Sequence, residues 1–100
     1  MYVQISKDSI VIKKGALLEE IIESNIECII EANHMGLLKV HNVIHIFTKD
    51  GKYFYLTSEI NCFKELKEEL NDNFKEVYIK KERTISSDFV VNKENLKNII

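Results

Sequence analysis

Residues 17 to 32, Leu-Leu-Glu-Glu-Ile-Ile-Glu-Ser-Asn-Ile-Glu-Cys-Ile-Ile-Glu-Ala, decide the fold, because they fit two periods at once. Leu18, Ile22, Ile26, Cys28, Ile30 and Ala32 share one parity, as a half-buried strand demands. At 100° per residue, however, Glu19, Glu20, Glu23, Glu27 and Glu31 fall within an arc of about 120° that only Ile30 intrudes on, which is the signature of an amphipathic helix. The isoleucines favour strand, whereas Leu, Glu and Ala favour helix. Local preference therefore leaves both readings open.

Outward from this stretch the pattern is clearer. Val43 to Thr48 and Lys52 to Thr57 are two runs of β-branched and aromatic residues separated by Lys49, Asp50 and Gly51. Asp followed by Gly between such runs predicts a hairpin with a type I′ turn, which needs positive φ at both central positions. Ser58 offers an N-cap hydroxyl, and Ile60, Phe63, Leu66 and Leu70 recur at spacings of three and four, predicting the main helix near 59–71. Tyr2 to Ser6 and Ser9 to Lys13 are expected as short strands, as are Phe74 to Lys81 and Thr84 to Val91. Asn92 is expected to cap a short C-terminal helix. Proline is absent, and the three glycines, at 15, 36 and 51, fall between segments of differing pattern, where turns with positive φ are expected.

One hundred residues with no Pro- or Gly-rich linker predict a single domain. Fourteen Lys and Arg against sixteen Asp and Glu give a net charge of -2 and no bulk field for a polyanion. The first ten residues lack the apolar core of a signal peptide, and no apolar run exceeds four residues, so a cytoplasmic protein without a membrane span is expected. Cys28 and Cys62, each beside apolar residues, read as reduced core positions.

The candidate chemistry is sparse. His34, His41 and His45 invite a metal, but His41 and His45 on one extended strand stand about 13 Å apart, so no metal site and no cofactor are expected. Glu19, Glu20, Glu23, Glu27 and Glu31, with no Lys or Arg among them, form either a solvated face or an acidic patch for a protein partner. Tyr53 and Tyr55 share a strand face and are a candidate aromatic contact for the same partner. Lys75, Lys80, Lys81 and Arg83, diluted by Glu76 and Glu82, form a thin basic strip suited at most to a nucleic-acid alternative. Phosphate loops, dinucleotide fingerprints, nucleophile elbows and metalloprotease helices are all missing.

From Ser9 to Phe74 the order of features resembles the bacterial PH-like domains. A strand ends at Ile12-Lys13-Lys14-Gly15, and a polar stretch leads through Ile21 and Ile22 to a strand at Ile26 to Glu31. The hairpin from Ile44 to Leu56 follows, then a helix carrying Phe63, Leu66 and Leu70. That resemblance implies a bent antiparallel sheet or open barrel plugged by one helix, and a binding or scaffolding role without catalysis. The glutamate spacing and the segment from Lys75 to Ile100 lie outside the pattern. Thr48-Lys49-Asp50-Gly51-Lys52-Tyr53, the helix from Phe63 to Leu70 and Val90-Val91-Asn92 also look like a LytTR-type DNA-binding domain, whose arginine-rich recognition segment is matched here by Arg83 alone.

The expectation is thus an α+β domain dominated by antiparallel strands, acting as a non-enzymatic interaction module. A deep pocket with convergent ionisable groups would defeat it. An exposed strand edge is expected to be able to pair with a second copy.

Overall fold

A computed structural model describes all residues from Met1 to Ile100. The chain is α+β, with seven strands, one main helix and a short C-terminal helix. Strands β1 (Tyr2–Ile5), β2 (Ser9–Lys14) and β3 (Leu17–Ile22) form an antiparallel meander. A 3-10 turn, Glu23–Asn25, leads into β4 (Ile26–Met35), β5 (Val40–Thr48) and β6 (Tyr53–Thr57), also antiparallel. Helix α1 (Phe63–Asn73) follows, and β7 (Tyr78–Ile85) then returns to lie parallel to β4, giving the order β6-β5-β4-β7. Helix α2 (Lys93–Lys97) closes the chain, and no helix is long and apolar enough to cross a membrane.

Residues 17 to 32 are therefore two strands, and the helical reading is wrong. Strand β4 is covered on both faces: Ile29 belongs to a core shared with Leu66, Leu70 and Phe74 around α1, while Cys28, Ile30 and Ala32 pack with Ile85 and Leu96. A single helical stripe cannot serve two cores on opposite sides, whereas adjacent residues of a strand do so automatically. The turn between β3 and β4 is held by Glu23 N–H donating to the Asp8 carbonyl at 2.8 Å and Lys49 N–H to that of Asn25 at 2.8 Å.

The larger core lies between the two sheets, where Ile10, Ile12 and Ile21 meet Ile29, Ile44, Ile46 and Leu56 around the apolar face of α1. Burying each such side chain contributes about 1.5–3 kcal/mol. The smaller core is on the other face of the four-stranded sheet, beneath α2. Asn92 caps α2 by accepting from Asn95 N–H at 2.8 Å, as expected.

The α+β class with mostly antiparallel strands, one main helix and a short C-terminal helix is as expected, the strands lying in two sheets that are not closed barrels. Several local expectations are corrected. Strands β4 and β7 run parallel because the chain crosses over through α1 between them. Helix α1 begins at Phe63 rather than near 59: Ser58 does not cap it, Ile60 N–H turns back to the Thr57 carbonyl, and Cys62 starts the helix at φ 59. That position leaves Cys62 exposed, while Cys28 is buried as expected; both are free thiols. The hairpin turn has positive φ at Gly51 only, with Gly51 N–H donating to the Thr48 carbonyl at 3.2 Å, so it is the longer turn with one left-handed glycine rather than type I′. Phe74 ends α1 instead of starting a strand, and the strand expected over 84–91 stops at Ile85, where a Ser86–Asp88 turn takes over. Gly36 has no positive φ. Its value is space, since a Cβ there would lie 2.5 Å from the His41 ring and 2.8 Å from the Lys39 carbonyl oxygen.

Candidate functional site

The alternation of β5 and β6 divides their side chains cleanly. Ile44, Ile46, Phe54 and Leu56 face the larger core, while Val43, His45, Phe47, Tyr53, Tyr55 and Thr57 face away from it. Helix α2 and the segment before it cover that second face around Cys28, Ile30, Ala32 and Phe47. Beyond them, Tyr53 and Tyr55 on β6 are exposed, while His45 on β5 is buried.

β6 is an edge strand, paired only with β5. Thr48 N–H donates to the Lys52 carbonyl at 3.0 Å, which makes 48 and 52 a hydrogen-bonded pair; antiparallel alternation then turns the backbone N–H and C=O of Tyr53 and Tyr55 outward. A hollow of about 560 Å³ lies on one side of this edge, between β6 and the free edge of β3, lined by Ile12, Leu17, Phe54, Leu56 and Ile60. A second, shallower hollow of about 690 Å³ lies on the other side, lined by His34, His41, Val43, His45 and Tyr55. Tyr53, Tyr55, Thr57 and Glu59 border both.

Three of the residues singled out from the sequence meet here. Tyr53 and Tyr55 stack with ring centroids 6.2 Å apart, and Tyr55 is 57% exposed. Glu19 reaches across the first hollow to Lys52 at 3.2 Å, an exposed pair that contributes little to stability. The other glutamates go elsewhere. Glu20 and Glu23 are exposed on β3 and the turn after it. Glu27 sits at a β-bulge and binds Lys93 at 2.6 Å and Lys97 at 3.7 Å, fastening α2 to β4; the Lys93 hydrogen bond holds its carboxyl below the ordinary range.

Glu31 is buried, 6% exposed, under α1. Tyr78 Oη donates to its Oε1 at 2.5 Å, and Asn42 Nδ2 and Lys67 Nζ donate to Oε2 at 3.1 and 3.4 Å. Lys67 also donates to Asn42 Oδ1 at 2.8 Å, and Asn42 to Asn33 Oδ1 at 2.9 Å. Burial pushes the Glu31 carboxyl up, but the Tyr78 hydroxyl, the Lys67 charge and Asn42 together hold it below its ordinary range. The five glutamates thus form no common face.

Nor do the basic residues form a strip. Lys80 and Lys81 are adjacent on β7 and point to opposite faces. Lys81 Nζ donates to the Lys97 and Ile99 carbonyls at 3.0 and 2.9 Å, holding the C-terminus. Lys75 is exposed just after α1, and Arg83 borders a separate hollow beside Ser86 and Asn98.

The histidines hold what strand spacing alone concealed. His34 and His45 come from neighbouring strands, and their Nε2 atoms approach to 2.8 Å; His45 Nδ1 lies 2.7 Å from Tyr53 Oη. Burial lowers His45 to a pKa of about 4, with the neighbouring His34 adding to the effect, and burial lowers His34 as well. Both rings are neutral at pH 7, linked by one shared proton. Burial raises the Tyr53 phenol, so it too stays protonated.

These are convergent ionisable groups, but they line an open hollow rather than a deep cleft. Compared with known proteins, the chain matches no family model, no curated protein and no solved structure.

Proposed function

We propose that this chain is a non-enzymatic protein-interaction module that takes up an extended peptide along the free edge of β6. The observation that carries this reading is the outward-turned backbone of Tyr53 and Tyr55 with an accessible hollow on each side. An added strand makes main-chain hydrogen bonds to such an edge, while its alternate side chains enter the hollows. Here one set would meet Leu17, Phe54 and Leu56, and the other Tyr55 and Val43.

The edge is also unguarded. Strand edges are commonly protected by charge, and β7 carries Lys80, Lys81, Glu82 and Arg83 in its eight residues. β6, Tyr-Phe-Tyr-Leu-Thr, carries none, and the Lys52 just before it is engaged by Glu19. A binding or scaffolding role is also what the resemblance of residues 9 to 74 to PH-like domains implies.

Selection from a random-peptide display library tests this. Enriched peptides are expected to alternate apolar residues, to slow amide exchange at Tyr53 and Tyr55, and to bind Leu17→Lys and Tyr55→Lys at least about 10-fold more weakly, a loss of about 1.4 kcal/mol. Absence of enrichment, or protection confined to other strands, would overturn the reading. Concentration-dependent dimerisation that the peptides do not reverse would instead identify a second copy as the occupant.

A further inference from the structure

We propose that His34 and His45 form a two-imidazole site for a divalent transition metal ion of the zinc type, with solvent in the remaining coordination positions. Metal binding by the two rings does not require peptide uptake, although the hollow above them is one that the proposed peptide's side chains enter.

Two imidazole nitrogens bound to one tetrahedral zinc at about 2.0–2.1 Å lie about 3.3 Å from each other. The two Nε2 atoms stand 2.8 Å apart, with ring centroids at 4.9 Å, so an opening of about 0.5 Å admits the ion. His45 is fixed: it is 2% exposed, in the middle of β5. His34, half-buried near the end of β4, is the ring that yields.

Histidines that bind metals generally donate the other ring N–H to an oxygen, which fixes the tautomer and aims the free lone pair. Tyr53 Oη, 2.7 Å from His45 Nδ1, is placed to accept that hydrogen bond. When the ion enters, the proton shared between the Nε2 atoms moves to Nδ1 of the ring that carried it. Both rings then coordinate as neutral imidazoles, with no net proton released from the pair.

The hollow above the pair is bordered by Tyr55, Thr57, Ser58 and Glu59 and opens to solvent, leaving room for water ligands. No third His, Cys, Asp or Glu completes a ligand set, so the site is exchangeable rather than structural.

Zinc alone is the probe. Adding Zn²⁺ to the ¹⁵N-labelled full chain at pH 7.5 is expected to shift Nε2 of both His34 and His45 in long-range ¹H–¹⁵N spectra, saturating at one ion per chain with both rings as Nδ1–H tautomers. His34→Gln, whose partly exposed position tolerates an amide, should weaken binding at least about 10-fold, a loss of about 1.4 kcal/mol. His41→Gln should leave binding unchanged. Unmoved Nε2 signals at millimolar Zn²⁺, equal binding by His34→Gln, or loss of binding in His41→Gln would each overturn the proposal.

Discussion

Strands β4 and β5 carry two polar clusters on opposite faces, and the clusters differ in completeness. Under α1, Glu31 is a charge surrounded by Tyr78, Asn42 and Lys67, each of which aims a hydrogen at it. On the other face, His34 and His45 are neutral, share one proton, and look onto an open hollow. A buried carboxylate is tolerable only when its oxygens are satisfied, and one so fully satisfied has little left to offer a ligand. A sparse neutral pair with room beside it retains its coordinating capacity. The glutamate carries the charge, but the histidines are the more available chemistry.

The sharpest way to break the comparison is to remove the charge. Glu31→Ala strands the Lys67 ammonium and the Tyr78 hydroxyl beneath α1, and a loss of about 3–4 kcal/mol in urea unfolding is expected. Lys67, still partly exposed, can turn to water, which keeps the value at the lower end of the range for broken buried pairs. A change below about 1 kcal/mol would show that the network is not what holds α1 to the sheet.

Acid separates the two clusters by window. His45 titrates near 4 in the folded chain and near 6.5 when unfolded, so between those values the unfolded chain binds more protons. Stability is therefore expected to be level above about pH 6.5 and to fall by at most about 3 kcal/mol as the pH drops to 4, His34 acting in the same direction. Glu31 is displaced in the same direction but from a lower starting point, to below 4.5, so its contribution is intact above that value and is lost as the pH falls further. Urea midpoints across pH 3 to 8 should show both slopes. His45→Gln should flatten the upper one and Glu31→Gln the lower, and a single slope unaffected by His45→Gln would remove the pair from the account.

The two faces were not equally legible. The hairpin from β5 to β6 and most of α1 could be read because their signals are local: Asp50-Gly51 between apolar runs, and apolar residues three and four apart. Residues 17 to 32 resisted because β4 is buried on both sides, which erases the alternation that identifies a half-exposed strand. Once that segment is known to be a strand, the register His34↔His41 and Ile30↔His45 puts His34 and His45 on one face, and Gly36 is the turn that makes the pairing possible. The histidine pair was thus latent in the same ambiguity. The Tyr78–Glu31 contact had no such signal, since it depends on a parallel crossover joining residues 47 apart.

A gentler cut tests the saturated side alone. Tyr78→Phe removes one donor and keeps the ring, leaving Glu31 with Asn42 and Lys67, and a cost of about 1.5–2 kcal/mol is expected for a hydrogen bond to a charge. The Glu31 carboxyl should also move upward, since the Tyr78 hydrogen bond is the largest influence lowering it. Urea unfolding checks the first part and carboxyl ¹³C titration the second; an unmoved titration would mean that Lys67 compensates.

The smallest effect is expected at the turn that brings the histidines together. A methyl group at Gly36 would meet the His41 ring, which is free to swing into solvent, and the Lys39 carbonyl, which is not. Gly36 N–H also donates to that carbonyl at 2.8 Å, so the turn must loosen for the methyl to fit. Gly36→Ala should therefore cost about 1 kcal/mol, chiefly through the backbone. Because His34 and His45 join beyond the turn, on β4 and in the middle of β5, their Nε2 signals should hardly change while those of His41 move. Were His34 and His45 to shift as much as His41, the open face would depend on its turn as closely as Glu31 depends on α1, and the contrast between the two faces would fail.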